Sequence, residues 1–214
     1  MYPNLIGAGL AAFVGFAFME GSKEPKIQLR GDRFRPLTYE EMTPEQRTMT
    51  DHILVGKRGS MDGPYNVLLR SPEMGDLAQK YGAHMRFNSS LPKKLNELAI
   101  LMIARAWNSP FEWYVHRKFA LESGLSAEVI EMLATGQPAL MDAAEDAVYN
   151  FCDELLNTRR VSDASFHKAK ELFGERGIVD LIGVMGYYHL VSMLLNVDRY
   201  PMPEGIKDEL SPSR

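Results

Sequence analysis

The run from Leu98 to Ala104 (LAILMIA) constrains the fold more than any other part of the sequence. It lies inside a helical pattern that starts at Leu91-Pro92 and is broken at Asn108-Ser109-Pro110. A helix that is apolar all round must be covered by other elements on every side. The sequence therefore predicts a central, buried helix with further helices packed around it.

Helix start and stop signals divide the chain from residue 37 onward into about eight helices, and no alternating strand pattern of useful length is present. The first helix is capped by Thr43 and runs to about Val55, and residues 59–66 (GSMDGPYN) are predicted to form a loop. The other helices are predicted to begin at Ser71-Pro72, Leu91-Pro92, Pro110, Ser126, Met141, Ser162 and Ile178. We predict an all-α bundle: one domain over residues 37–203, followed by a tail over residues 204–214.

The first 36 residues do not resemble an ordinary domain. Leu5 to Met19 is almost entirely apolar, but a membrane-spanning helix needs roughly 20 such residues. No Lys or Arg precedes this segment and no clear cleavage site follows it, which is atypical of a signal peptide. Two interpretations stay open: a signal segment, or an arm that packs on a neighbouring subunit. We expect a cytoplasmic protein and no membrane partner, with export to the periplasm as the alternative if residues 1–20 act as a signal.

Charge and cysteine content exclude several classes of function. The chain has 28 acidic and 24 basic residues, which gives no electrostatic footprint for nucleic acid. Its single cysteine, Cys152, rules out an intramolecular disulfide, a Cys-x-x-Cys redox pair and a cysteine-based zinc site. We expect a protein that acts on a small molecule and has no nucleic-acid partner.

Three titratable residues on two adjacent predicted helices are candidates for acid–base chemistry. Glu97 lies in the apolar helix, and Glu112 and His116 are four residues apart on the next helix, so these two share a face. A carboxylate one turn from an imidazole raises the imidazole pKa and fixes its tautomer. If Glu97 points to the same place, the three form a general acid–base site. No second ligand pair accompanies Glu112 and His116, so we predict no metal site.

Each of these candidates also has a structural interpretation. A Glu-x-x-x-His pair on a helix is often a surface pair, and Glu97 with Arg105 could form an ion pair at the rim of the buried helix. Trp113 could belong to the core or to an interface. His189, within the apolar run Gly186 to Leu190, could be a hydrogen-bonded core histidine. Spacing alone does not choose between these alternatives.

From Leu68 to Gly124 the chain resembles the carboxymuconolactone decarboxylase family, which shares its fold with the alkylhydroperoxidase AhpD. The resemblance extends over about residues 37–203 and implies an all-helical fold that oligomerises, commonly as trimers or hexamers. The matching residues are Leu69 to Glu73, Leu91-Pro92, Glu97 to Leu101, Ala104 to Trp107, Phe111 to Trp113, His116, Ala120, Gly124 to Ser126, Gly186 to Tyr188, Val191-Ser192 and Leu195-Asn196.

The resemblance separates two branches of chemistry. The peroxidase branch carries Cys-x-x-Cys-x-x-x-His with an upstream Glu, and its positions correspond here to Ser109, Glu112, His116 and Glu97. Thiol–disulfide chemistry needs two cysteines, so thiol peroxidase activity is disfavoured. The decarboxylase branch keeps the Glu and His without cysteines, and its reaction needs no metal or organic cofactor.

The resemblance implies a cofactor-independent lyase (decarboxylase) or isomerase acting on a small carboxylated lactone or aromatic ring-cleavage product. We assign His116, oriented by Glu112, as the acid–base and Glu97 as its relay partner. The candidate substrate-binding residues are Arg105, Trp113, Tyr188 and His189. The alternative is a non-catalytic small-molecule-binding or scaffold protein with the same fold. The sequence does not identify the substrate.

The last predicted helix, Ile178 to Val197, is apolar on more than one face. A single copy of the chain covers one such face with its own helices, and the remainder would leave a larger apolar patch than monomers usually expose. We therefore expect a homo-oligomer, from dimer to hexamer, with the N-terminal arm contributing to the interface if it is retained.

Overall fold

A computed structural model describes residue 27 and residues 29–210 of the chain. The described residues form eight α-helices and no β-strand, so the prediction of an all-α bundle of about eight helices is confirmed. The predictions made for Leu5 to Met19 lie outside the described residues. The helices are α1 Pro44–Val55, α2 Tyr65–Leu68, α3 Pro72–Phe87, α4 Lys93–Ala106, α5 Pro110–Glu122, α6 Ala127–Thr135, α7 Ala143–Thr158 and α8 Asp163–Asp198.

Helix α4 is the central element. Every residue from Leu95 to Ala104 is buried, including the run that is apolar all round. The helix packs against α5, α6, α7 and α8, which together cover its whole circumference. The only charged residue in this buried stretch is Glu97, so its carboxylate needs a partner inside the protein.

Side-chain caps fix where several helices begin. The Thr43 hydroxyl accepts the N–H of Gln46, and the Gln46 side chain accepts the N–H of Thr43, forming a capping box at α1. Asp142 and Glu145 form the same motif at α7, one residue after the predicted start. Such caps satisfy backbone donors that no helical carbonyl can reach, so they mark helix starts in the sequence.

The order of elements differs from the prediction at two places. The short helix α2 begins near the end of the predicted loop 59–66, and nothing in the sequence marks it because Pro64 at its N-cap offers no side-chain cap. The two last predicted helices are joined as α8, with a break at Gly174 (φ 67°). This left-handed residue bends the chain without inserting a loop, which is why Gly174 still ends the first half as predicted.

Helix α8 is long and apolar enough, by length and composition, to cross a membrane. Its most apolar 18-residue window has a mean hydropathy of 1.6, and 56% of that window is buried inside the fold. A core helix passes the same test, and α8 packs against α3, α4, α5 and α7. Its contacts within the bundle account for the apolar residues on its buried face.

Two polar clusters attach the segment before α1 to the rest of the fold. Asp198, at the end of α8, accepts the backbone N–H groups of Arg33 and Phe34 at 2.9 Å each. Arg30 pairs with Asp62 at 2.9 Å, and the Tyr200 hydroxyl donates to the same carboxylate. The loop between α1 and α2 is therefore held from both ends of the described chain.

Helices α3 and α8 approach closely at Gly82. A Cβ atom built on Gly82 would overlap the ring of Tyr187, which is fully buried. Only glycine leaves room for that ring, so this contact fixes the position of Tyr187.

Candidate active site

Helices α4 and α5 bring the three acid–base candidates together. The chain reverses between the two helices at Asn108, whose φ is 46°. His116 Nδ1 lies 2.6 Å from Glu97 Oε2, and His116 Nε2 lies 3.0 Å from Glu112 Oε1. All three side chains are at least nine-tenths buried, with exposed fractions of 3–7%. The helical spacing that selected them thus corresponds to a contact, and Glu112 and His116 do not form a surface pair.

The environment of His116 favours its protonated form. Burial alone would lower the imidazole pKa, but the charges of Glu97 and Glu112 and their hydrogen bonds outweigh burial and raise the pKa of His116 to about 9. Near neutral pH both ring N–H groups therefore donate to carboxylates. The imidazolium in turn offsets the repulsion between two buried carboxylates.

A cavity of about 290 Å³ opens beside this cluster. Glu112 and His116 line it, whereas Glu97 does not and lies behind the imidazole. The volume is at the small end of ligand-binding cavities. Any molecule in the cavity thus meets Glu112 and His116 first, and Glu97 acts on it only through His116.

Tyrosine and phenylalanine rings form much of the cavity wall. The Tyr188 ring meets the imidazole of His116 edge-on, with centroids 4.9 Å apart, and the Phe119 ring lies 5.9 Å away. Burial raises the pKa of the Tyr188 hydroxyl well above its usual value, so this group stays neutral and can donate a hydrogen bond. The structure places Tyr188, a predicted substrate-binding residue, in the cavity.

The other three predicted substrate-binding residues do not line this cavity. Trp113 is buried, and its indole N–H donates to Glu209 at 3.2 Å. His189 Nδ1 accepts a hydrogen bond from the indole N–H of Trp107, and His189 lines a separate cavity of about 790 Å³. Arg105 is half-buried and lines neither cavity.

The geometry of helices explains why these residues point elsewhere. Successive residues on a helix are about 100° apart. Trp113 therefore turns away from the face of Glu112, and His189 turns away from the face of Tyr188. A residue next to a functional one in sequence is not its neighbour in a helical site.

Two arginines that the sequence analysis did not select line the cavity, Arg58 and Arg86. Burial alone would lower the pKa of Arg58, but the charges of nearby tyrosines and of Glu112 raise it. Tyr65 and Tyr187 complete this side of the wall. The only sign of Arg58 in the sequence is that it is a basic residue between two glycines. Its position in the same cavity as His116 depends on packing between segments that are far apart in the sequence.

Neither a thiol nor a metal cluster accompanies the site. Cys152 is fully buried in α7, and burial raises the pKa of its thiol, which disfavours the reactive thiolate. Within residues 29–210, no group of three or more His, Cys, Asp or Glu side chains is arranged to hold a metal ion. Both ring nitrogens of His116 already contact carboxylates.

Comparison with known proteins finds a sequence similarity in the central part of the chain and a structural similarity over about two thirds of it. Residues 72–154 match the family model "Carboxymuconolactone decarboxylase family". Among solved structures, the chain is similar to a protein of unknown function from Agrobacterium tumefaciens, described as a candidate AhpD antioxidant defence protein. The two are 18% identical with a TM-score of 0.57, and the match covers 64% of this chain and 96% of that one. At this identity the likeness shows the fold alone. No curated protein matches the chain.

Proposed function

Since residues 72–154 of this all-α chain carry a region of the carboxymuconolactone decarboxylase family, we propose that the protein is a cofactor-independent lyase or isomerase. Its substrate is a small carboxylated lactone or a related product of aromatic ring cleavage. One observation carries the proposal: a buried imidazole between two buried carboxylates, at the wall of a cavity of about 290 Å³. Burying three titratable groups costs stability, and such clusters are typical of sites that move protons.

The contacts assign a different role to each member of the cluster. Both ring nitrogens of His116 contact carboxylates, so the imidazole has no free N–H for a substrate. Glu112 lines the cavity together with His116 and accepts a hydrogen bond from it, so Glu112 is the group that exchanges a proton with the substrate. His116 supplies that proton or takes it back, and Glu97 stabilises the positive charge of His116. This assignment moves the acid–base role from His116 to Glu112.

The proton balance of a decarboxylation fits this arrangement. When the bond from the γ-carbon of a butenolide to its carboxylate breaks, CO₂ leaves and the electron pair delocalises into the lactone carbonyl as a dienolate. The imidazolium of His116 then passes a proton to Glu112, which delivers it to the α-carbon, and the imidazole left neutral regains a proton from solvent before the next turnover. In an isomerisation, Glu112 would first remove a proton from one carbon and then return it to another.

Replacing Glu112 by Gln tests the proposal, because it keeps the shape and removes the proton-transfer group. A panel of muconolactones and hydroxypyranone acids is assayed for CO₂ release and, by absorbance, for isomerisation. Loss of general acid–base catalysis is expected to lower turnover by about 10²–10⁴-fold. Glu122→Gln is the matched control, since Glu122 is an exposed carboxylate on the same helix, and its turnover is expected to equal that of the wild type.

Two outcomes would contradict the proposal. Full turnover by a folded Glu112→Gln variant would exclude Glu112 as the acid–base. Binding of panel compounds without any turnover by the wild type would favour the alternative of a non-catalytic small-molecule-binding protein with this fold.

We also propose that the protein is a homo-oligomer that buries the outer face of α8. Val179, Ile182, Met193 and Val197 are exposed by 40–66% and fall within about 60° of one another around the helix. Four large apolar side chains in one stripe are typical of an interface between subunits. A second copy of the chain is the partner that the symmetry of most soluble oligomers predicts.

Sedimentation at micromolar concentration measures this assembly. The wild type is expected to sediment as a multiple of the 24.2 kDa chain, and a Val179→Lys, Met193→Lys double variant as a smaller species. Leu140→Lys is the control, because Leu140 is 95% exposed and lies outside the stripe. A monomeric wild type would contradict the proposal.

A further inference from the structure

Arg58 has a buried charge for which the described residues supply neither an ion pair nor a hydrogen bond at two of its nitrogens. Its Nε and Nη2 atoms are shielded from water and have no hydrogen-bond partner among the described residues. Buried polar groups are nearly always hydrogen-bonded, and those of a charged group especially so. Neither Arg58 nor Arg86 forms an ion pair within residues 29–210, although both line the cavity beside Glu112.

The two unpaired nitrogens share one edge of the guanidinium plane. Nε and Nη2 point their N–H groups in nearly parallel directions, which matches the two oxygens of a carboxylate. Aromatic rings lie close to both guanidinium groups: the Tyr65 centroid is 5.5 Å from Arg58 Cζ, and the Phe119 centroid is 4.6 Å from Arg86 Cζ. An aromatic ring attracts a guanidinium but takes up none of its N–H groups in a conventional hydrogen bond.

The charges around the cavity also favour an anion. Arg58, Arg86 and the imidazolium of His116 line the cavity together with the carboxylates of Glu112 and Asp62. Asp62 is paired with Arg30, and Glu97 with His116, so the four positive and three negative groups leave positive charge in excess by one. An anionic ligand balances this excess in a partly enclosed space, where charge interactions are stronger than in water.

We propose that Arg58, assisted by Arg86, binds the carboxylate of the ligand in this cavity. Arg58 lies between Gly56 and Gly59, in the loop after α1, and lines the cavity. On binding, a change of side-chain torsion has to turn Nε and Nη2 toward the ligand, because both atoms are shielded in the free protein. The role that the sequence assigned to Arg105 thus falls to a residue outside the matched region 72–154. The inference rests on the proposed function for the identity of the substrate, but not for the binding of an anion.

Calorimetric titration with 2-furoate tests this binding without any turnover. The probe has a five-membered ring and one carboxylate, and its neutral analogue 2-furamide has the same shape. The wild type is expected to bind 2-furoate, and to bind 2-furamide at least tenfold more weakly. Arg58→Gln is expected to weaken 2-furoate binding by roughly tenfold to a hundredfold and to leave 2-furamide binding unchanged. Inorganic phosphate, titrated separately, shows whether the site prefers a carboxylate.

Two further variants keep the result interpretable. Arg117→Gln is the matched control, because Arg117 is an exposed arginine on α5 that pairs with Glu209 outside the cavity. Arg58→Lys keeps the charge but loses the two-pronged edge, so it is expected to bind 2-furoate with intermediate affinity. If Arg58→Gln unfolds, the lysine variant still measures the contribution of that edge.

The inference is overturned if the wild type does not bind 2-furoate, or if folded Arg58→Gln and Arg58→Lys bind it as tightly as the wild type. Tighter binding of phosphate than of 2-furoate would also overturn the assignment to a carboxylate. These outcomes are independent of the Glu112→Gln assay. If 2-furoate binding depends on Arg58 but no compound of the turnover panel reacts, the carboxylate site is supported and the proposed reaction is rejected.

Discussion

Replacing His116 by alanine is expected to lower the free energy of unfolding by about 3–5 kcal/mol near neutral pH. The variant leaves Glu97 and Glu112 buried next to each other without the positive charge that each of them contacts at 3.0 Å or less. Urea denaturation followed by circular dichroism measures the change. His167→Ala is the control, since that histidine is exposed and its loss is expected to change stability little.

The same contacts make the stability of the wild type depend on pH. The folded-state pKa of His116 is about 9, above its ordinary value of 6.5, so the folded protein binds this proton more tightly than the unfolded chain does. The resulting stabilisation is present in full below about pH 6.5 and is lost as the pH rises through 9. The loss is on the order of 3 kcal/mol, and His116→Ala is expected to lack it. A wild-type stability that does not change between pH 6.5 and 9 would contradict the charged-imidazole interpretation.

These effects decide how catalysis should be tested. A variant that loses His116 removes a proton carrier and a structural partner at once, so lost turnover would not separate the two. Glu112→Gln removes the carboxylate that lines the cavity beside His116 and keeps an oxygen that accepts a hydrogen bond from His116.

Replacing Gly82 by alanine is expected to destabilise the fold by about 1–3 kcal/mol or more. The added methyl group overlaps the ring of Tyr187, which is buried on all sides and cannot move without displacing its neighbours. Because Tyr187 lines the cavity, weaker binding of 2-furoate is expected to accompany the lower stability. Thermal unfolding and calorimetric titration measure the two effects.

Gly186→Ala provides the matched control for this substitution. Gly186 is an exposed glycine on α8, and its Cβ would meet only the Tyr81 hydroxyl at 3.8 Å, an ordinary contact. Alanine favours a helix over glycine by about 1 kcal/mol, so this variant is expected to be as stable as the wild type or more so. A Gly82→Ala variant as stable as Gly186→Ala would show that Tyr187 tolerates the added atom.

The sequence predicts those features that depend on short-range spacing. Thr43, Ser126 and Ser162 cap helices where predicted, because a cap and the donors it satisfies lie within four residues. Glu112 and His116 share a face for the same reason. The apolar run in α4 fixes the centre of the fold, since no other arrangement covers all its sides.

The remaining features depend on contacts between distant segments. Arg58 lines the same cavity as Glu112 because the loop after α1 lies beside α5 and α8, and no periodic pattern in the sequence predicts that arrangement. Trp113 and His189 directly follow Glu112 and Tyr188 in the sequence. Their side chains point about 100° away from those of Glu112 and Tyr188. The role of Glu112 depends on which carboxylate faces the cavity, which the packing of α5 against α4 determines.

The two proposed functions of the cavity, proton transfer and binding of a carboxylate, belong to separate segments of the chain. The residues proposed to carry protons, Glu97, Glu112 and His116, all lie in the matched region 72–154. The loop bearing Arg58 lies outside it and is clamped by Arg30 and Tyr200 through Asp62. Under the two proposals, a change in this loop alters which acids the cavity accepts and leaves the residues proposed for proton transfer unchanged. Relatives with the same Glu–His–Glu cluster but a different loop are expected to catalyse related reactions on different molecules.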